Sequence, residues 1–570
     1  MKNSLTQSDD NENYSYSLLS NESEKLGSTK KARDDRKHKY KPPSSFHDIV
    51  PGEEKKEKDI EYIYEGKKIT SMLHNVENET MSVDYVASSL KEKDVFDESE
   101  SDESSQKFEK VLIRTPSSFW ADLRNFKEGS VPQSIVIGTA IGITCGMSAY
   151  VYYKIMVKGI DFFWHTLPET YIIDKWPEWS YPVWYPIMGI IAAIGLSLTL
   201  KFVGEPGDLA VTVEAIHSKG YLESSYVLPM ICASLCTIIG GASLGPEAPL
   251  GAICASLGGS VSRHIFKQTK PNVIRKHTLM GMSGALAAFF GSPIGGTLFA
   301  LEIQSRLGLE YFEHAVESFF CAELSVFLFR FCSGMSIGPI WTITTPAVPP
   351  SEPYYILIGI LLGLIGAGLS YCFTLLVRSA MFVFNKLLGE DKIFARALLS
   401  ASVFVTIGMF MPFTYFWSED EIAVLATKSP AENLPNVWPT SGLIGFEMDS
   451  ALNCVLVGVF KMVAIAYGIA GGFRGGFIFP LFCCGTAFGA ALTFVFPDLP
   501  APYACLCLAA AMNVAITRTS IATPIILTFL AGQQDTMSAV AAASVTSLLV
   551  TSYMVRNFEK TSVASYRNME

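Results

Sequence analysis

Beyond residue 130 the chain is a succession of apolar stretches, each approaching the roughly 20 residues that a bilayer crossing needs. Nothing else in the sequence narrows the fold as much. A backbone inside lipid must satisfy its own N–H and C=O groups, and uninterrupted apolar runs do so as helices. The prediction is an all-α polytopic membrane protein. Charge placement sharpens it: the 570 residues are 49% hydrophobic and 17% charged, and nearly half of the charged residues fall before residue 120.

Residues 1–117, rich in Ser, Asp, Glu and Lys, read as a disordered cytoplasmic tail. It holds a basic run at 30–41 that could rest on anionic lipid, and an acidic serine cluster at 97–105 that invites phosphorylation. The first residues lack the apolar core of a signal peptide, so the first membrane helix is expected to direct insertion. Residues 118–127 (SFWADLRNFK) pattern as an interfacial amphipathic helix. The transmembrane domain is predicted over 118–557, in halves of about 131–333 and 353–557, with a short tail at 558–570. The net charge of −10 comes largely from the first tail, and no basic stripe supports a nucleic-acid partner. The 12 cysteines lack zinc-ligand spacing and read as small buried residues, so no metal site is expected.

Spans are predicted at about 131–156, 186–203, 355–384, 395–411, 452–468 and 538–554. Shorter apolar helices fall at 210–217, 227–239, 250–261, 277–290, 295–304, 481–495, 503–515 and 523–531. The aromatic residues of 164–184 suggest an interfacial loop. Basic residues between Arg263 and Lys276 place that loop in the cytoplasm. Residues 419–436 read as a polar loop.

Glycine and proline interrupt the apolar pattern at 204–210 (GEPGDLA), 240–251 (GGASLGPEAPLG) and 471–480 (GGFRGGFIFP). Pro249 suits the first turn of a helix, and Asp208 could cap another. Breaks in both halves point to an inverted repeat with a midplane binding site. Each break leaves free N–H groups and a positive dipole end at a helix start. Converging, they would hold a small anion without a fixed cation, weakly enough to release it. A Lys or Arg there would bind too tightly, which places Arg474, the nearby basic residue, at the rim. Glu247 stands alone between Pro246 and Pro249. An ionisable residue at that depth is a functional hypothesis by default, against the plainer reading of a hydrogen-bonded acid in a breaker turn. Ionised, its carboxylate can take an anion's place and block a path; protonated or displaced, it swings away.

These residues resemble the CLC family of chloride channels and anion/proton exchangers. GPEAP around Glu247 is similar to the family's G-K/R-E-G-P signature, and GGFIFP at 475–480 to its G-G-x-F-x-P signature. PGDLA at 206–210 is a degenerate match to G-S-G-I-P. GSPIGGTLFALE at 291–302 resembles the stretch leading to the dimer interface. The similarity spans about residues 131–554. It implies a CLC-like inverted repeat of tilted and broken helices in the lipid bilayer, and a homodimer with one pore per subunit. Chloride or another small anion would be the bound ligand, with no cofactor. It also implies Glu247 as the gate, and an anion-binding set of Gly207, Asp208, Leu209, Glu247, Ala248, Gly476, Phe477 and Ile478. Nucleotide-binding CBS domains, frequent in eukaryotic relatives, are expected to be absent.

The departures carry information. Gly207 stands where the family usually has an anion-binding serine. Proton-coupled members resemble F-A-L-E-E, with the second acid relaying protons; here Glu302 matches the first acid and Ile303 replaces the relay. That pattern favours a passive channel over an exchanger, unless Glu310 or Glu313 stands in. The pore tyrosine has no secure counterpart; Tyr553 and Tyr566 are the candidates. A remote alternative is an intramembrane serine hydrolase, because residues 241–245 fit G-x-S-x-G around Ser243. The helices flanking that pentapeptide make the chain a non-enzyme in the preferred reading.

Overall fold

The computed structural model describes residues 131–207, 209–303, 310–341, 343, 352–389 and 391–567. Side chains at 131, 209–211, 213, 217, 310–314 and 555–567 fall outside that description. The tail, its two charged runs, the 118–127 segment and Asp208 also lie outside the described residues.

The described chain is helical, and its one β-type pairing is an isolated bridge between Gly245 and Gly476. The helices are α1 (Val131–Asp161), α2 (Leu167–Tyr171), α3 (Trp184–Leu198), α4 (Leu209–Ser218), α5 (Val227–Ile239) and α6 (Glu247–Ser260). Then follow α7 (Pro271–Phe290), α8 (Pro293–Glu302), α9 (Glu310–Ser333), α10 (Tyr354–Leu388), α11 (Ile393–Phe410) and α12 (Glu421–Ala426). The last are α13 (Ala451–Ala470), α14 (Ile478–Val495), α15 (Ala501–Thr517), α16 (Ala522–Leu530) and α17 (Met537–Arg567). Seven helical segments are long and apolar enough to cross a bilayer among the described residues. The protein is an integral, multi-pass membrane protein.

With α2 set aside, α1–α9 and α10–α17 repeat one order of elements. The pairing α1 with α9 recurs as α10 with α17, and α6 with α7 recurs as α14 with α15. Helices in equivalent places also meet each other across the two halves, α3 with α11 and α8 with α16, as a twofold relation demands. Small residues make the close pairings possible. A Cβ on Gly142 or Gly146 of α1 would strike the carbonyls of Cys321 and Ser325 in α9. Gly359 and Gly363 of α10 stand in the same way against Ala539 and Ala543 of α17. Lipid offers no hydrophobic drive between helices, so this tight backbone approach, with its dispersion contacts, is what binds them.

Several elements exceed or alter the sequence expectation. Trp164 is not interfacial: it is fully buried, its Nε1 donates to the Ile239 carbonyl at 2.8 Å, and its ring meets Tyr185, Tyr415 and Phe416. Tyr171, Trp176 and Trp179 are the exposed aromatics of that region. The predicted basic loop ends sooner, because α7 starts at Pro271; Lys276 is buried and donates to Glu317 Oε1 at 3.0 Å and Ser134 Oγ at 2.6 Å. The 419–436 loop contains α12, and Glu419 and Glu421 are buried in it. The last helix is long, running through the predicted terminal tail to Arg567.

Candidate functional site

The breaks before α6 and α14 are copies of one another. Residues 240–249 (GGASLGPEAP) and 471–480 (GGFRGGFIFP) match in register, and both set their second glycine in a left-handed conformation, φ 82° at Gly241 and 90° at Gly472. A side chain is strained there, so glycine is needed twice. The copies clasp each other: Gly245 N donates to Gly476 O at 2.7 Å, and Gly476 N to Gly245 O at 2.6 Å. The exchange is reciprocal between equivalent residues, which puts the pseudo-twofold axis between them.

That clasp brings the two helix starts together. Glu247 is the first residue of α6, so Pro249 is third rather than first; its missing N–H is harmless there because the first-turn amides have no helical partner. The fully buried Glu247 carboxylate crosses to α14, where Oε1 accepts from Ile478 N at 2.9 Å and Phe479 N at 3.3 Å. A negative group therefore sits on the two amides at a positive dipole end. Its other oxygen, Oε2, is buried with no hydrogen-bond partner. A Cβ on Gly476 would collide with the carboxyl group, so this glycine makes room for it.

The other expected residues fall as follows. Ala248 is buried beside Glu247 in α6, Ile478 is buried at the start of α14, and Phe477 is the half-buried N-cap. Gly207 is buried, and Leu209 opens α4. No hydrogen bond among the described residues joins 204–207 to the other two breaks. Ile303 is 4% exposed, an apolar side chain where a proton relay would stand. Glu302 accepts from Ala522 N at 2.8 Å and Ile521 N at 3.0 Å, tying the end of α8 to the start of α16. Tyr553 is 69% exposed; the side chain of Tyr566 and those of Glu310 and Glu313 lie outside the described residues. The Ser243 hydroxyl donates to the Thr414 carbonyl at 2.5 Å. That is a structural bond, and no histidine hydrogen-bonds to Ser243 among the described residues.

Sequence reading passes over two groups. Lys461, fully buried in α13, donates to the carbonyls of Thr414 at 2.9 Å, Tyr415 at 3.0 Å and Phe416 at 2.6 Å. Phe416 N in turn donates to Gly241 O at 3.1 Å. The lysine thus fixes the segment on which the first break rests. A lone lysine inside the apolar run VLVGVFKMVAIA is the available signal, the same one that marks Glu247. The second group is Glu419. Its Oε2 accepts from Trp417 Nε1 at 2.9 Å, and its backbone carbonyl from Trp341 Nε1 at 2.6 Å. Trp341 packs edge-on to Phe479, whose amide holds the Glu247 carboxylate.

A two-halved helical membrane fold whose equivalent breaks meet at one carboxylate and one helix dipole defines a protein that moves anions. The chain belongs to the voltage gated chloride channel family, the CLC family, whose model matches residues 209–552. It is similar to the putative ion-transport protein YfeO of Shigella sonnei, 23% identical over 384 residues, which cover 66% of this chain and 83% of that protein. YfeO of Escherichia coli matches to the same extent. Among solved structures it resembles a slow cyanobacterial Cl−/H+ antiporter, with a TM-score of 0.59, 16% identity and coverage of 75% of this chain and 99% of that one. A CLC-type fluoride/proton antiporter matches at a TM-score of 0.55 and 16% identity, over 75% and 97% of the two chains. A eukaryotic CLC transporter matches at 0.54 and 15%, over 75% and 74%.

Proposed function

We propose that the chain conducts small anions passively, gated by Glu247. The observation that carries this reading is the seating of the Glu247 carboxylate on the Ile478 and Phe479 amides. An anion arriving at those amides competes with the carboxylate for one place, which couples permeation to gating. Gly207, Asp208, Leu209, Ala248, Gly476 and Phe477 complete the lining in this reading, with chloride or a like anion as the bound ligand. The same reading includes a homodimer with one path per subunit and a cytoplasmic N-terminus.

A channel needs no proton route to its second side, and the buried Ile303 supplies none. The exchanger is the second reading: two solved proteins of this fold are a Cl−/H+ and a fluoride/proton antiporter. Reversal potential separates the two. In reconstituted bilayers with symmetric chloride and a pH gradient, the channel reading predicts a reversal potential of zero. A potential that follows the proton gradient would establish exchange and remove the channel reading.

A further inference from the structure

Arg330 lies in the last turn of α9 and is 4% exposed. Its Nε is shut off from solvent without a partner. The guanidinium donates no hydrogen bond, and no carboxylate pairs with it, among the described residues. It stands 5.8 Å from the centre of the Phe329 ring, a contact that uses up no donor. A charge buried in this way is costly unless an acceptor is supplied.

The guanidinium packs against the turn that joins α7 to α8, where a Cβ on Gly291 would collide with it. Gly291 follows the helical Phe290 in a left-handed conformation, φ 64° and ψ 9°. Successive right- and left-handed residues aim their N–H groups into one concavity, a nest that fits an anion. At helix ends of this kind those N–H groups are ordinarily spent on the helix's own carbonyls. Here the N–H groups of Gly291 and Ser292 make no hydrogen bond among the described residues, although both residues are buried. The Ser292 hydroxyl is engaged elsewhere, accepting from Gly295 N at 3.2 Å as the cap of α8. Two amides and a guanidinium thus meet at a buried turn, all of them donors, with no acceptor between them.

We propose that the Gly291 and Ser292 amides and the Arg330 guanidinium form a second buried seat, for a small monovalent anion. It is distinct from the seat on Ile478 and Phe479 but close to it, since the Phe290 ring packs 5.7 Å from that of Phe479. The Glu247 carboxylate holds only the amides of α14, so the second seat can fill while the first is closed. Stripping water from a dianion costs far more than from a monovalent ion, and a seat this buried selects the latter. Glu419 and Tyr153 are the groups whose charge acts on Arg330. The Glu419 carboxylate, held by Trp417 Nε1, offsets part of the positive charge, so the anion is held reversibly. The seat stands on its own geometry; its place along a permeation path rests on the anion-path reading above.

Crystals of the full-length wild-type protein grown in bromide give the direct test. The anomalous map should show a peak within hydrogen-bonding distance of Gly291 N, Ser292 N and a terminal nitrogen of Arg330, and crystals of Arg330→Gln should lose it. The wild-type map decides even where the variant fails to fold. Water without anomalous signal at that turn, or bromide only elsewhere, overturns the seat and leaves the Ile478–Phe479 reading standing. In vesicles, the half-saturating chloride concentration for uptake should rise about tenfold in Arg330→Gln, the loss of one charge-assisted contact. Arg330→Lys, which keeps the charge, should recover most of that loss. Unchanged half-saturation in a folded Arg330→Gln overturns the seat's place on the path. Bromide at the turn of a wild type that takes up no anion upholds the seat and overturns the anion-path reading instead.

Discussion

Glu247→Ala is expected to conduct anions steadily, with voltage and pH dependence lost. The wild-type carboxylate is held by two charge-assisted hydrogen bonds from Ile478 and Phe479. At about 1.5–3 kcal/mol each, they bias the closed arrangement by on the order of a hundredfold or more. Alanine removes that bias and leaves the amides to the permeating anion. The clasp between Gly245 and Gly476 is made of backbone atoms and survives the change, so the path keeps its shape. Single-channel or macroscopic current across pH and voltage gives the answer. A variant that is folded yet closed at every voltage would show that Glu247 supports the path instead of blocking it.

Lys461→Met should lower stability severely. The ammonium satisfies three carbonyls at a fully buried position, and methionine fills a similar volume without a donor. Each buried acceptor left unmet costs about 1–3 kcal/mol. Thermal unfolding in detergent, followed by size-exclusion fluorescence, should show a midpoint several degrees lower. Lys461→Arg, which keeps donors and charge, should lie between that variant and wild type. Equal midpoints for wild type and Lys461→Met would mean that the 414–416 carbonyls find other partners.

The membrane architecture was legible because lipid permits so few backbone arrangements; runs of apolar residues mark most of the helices. Their ends were less legible where polar residues find distant partners. Lys276 reads as loop until Glu317, 41 positions along, takes its charge inside. Trp164 reads as interfacial until Tyr185, Tyr415 and Phe416 surround it. Glu247 could be picked out because an acid between prolines in an apolar stretch has few ordinary reasons to be there. Its partner could not be read directly, since Ile478 lies 231 residues away. The glycine and proline spacing shared by 240–249 and 471–480 was the trace of that pairing. Lys461 carries an equal signal, but its role depends on three carbonyls whose positions only the folded loop defines.

The claim at the centre is that the two amides opening α14 bind either the Glu247 carboxylate or the transported anion. Bromide can be located by its anomalous scattering in crystals of Glu247→Gln grown in bromide. The account predicts a peak within hydrogen-bonding distance of Ile478 N and Phe479 N, with the glutamine side chain swung off them. Bromide sites confined elsewhere, with those amides still held by residue 247, would contradict it.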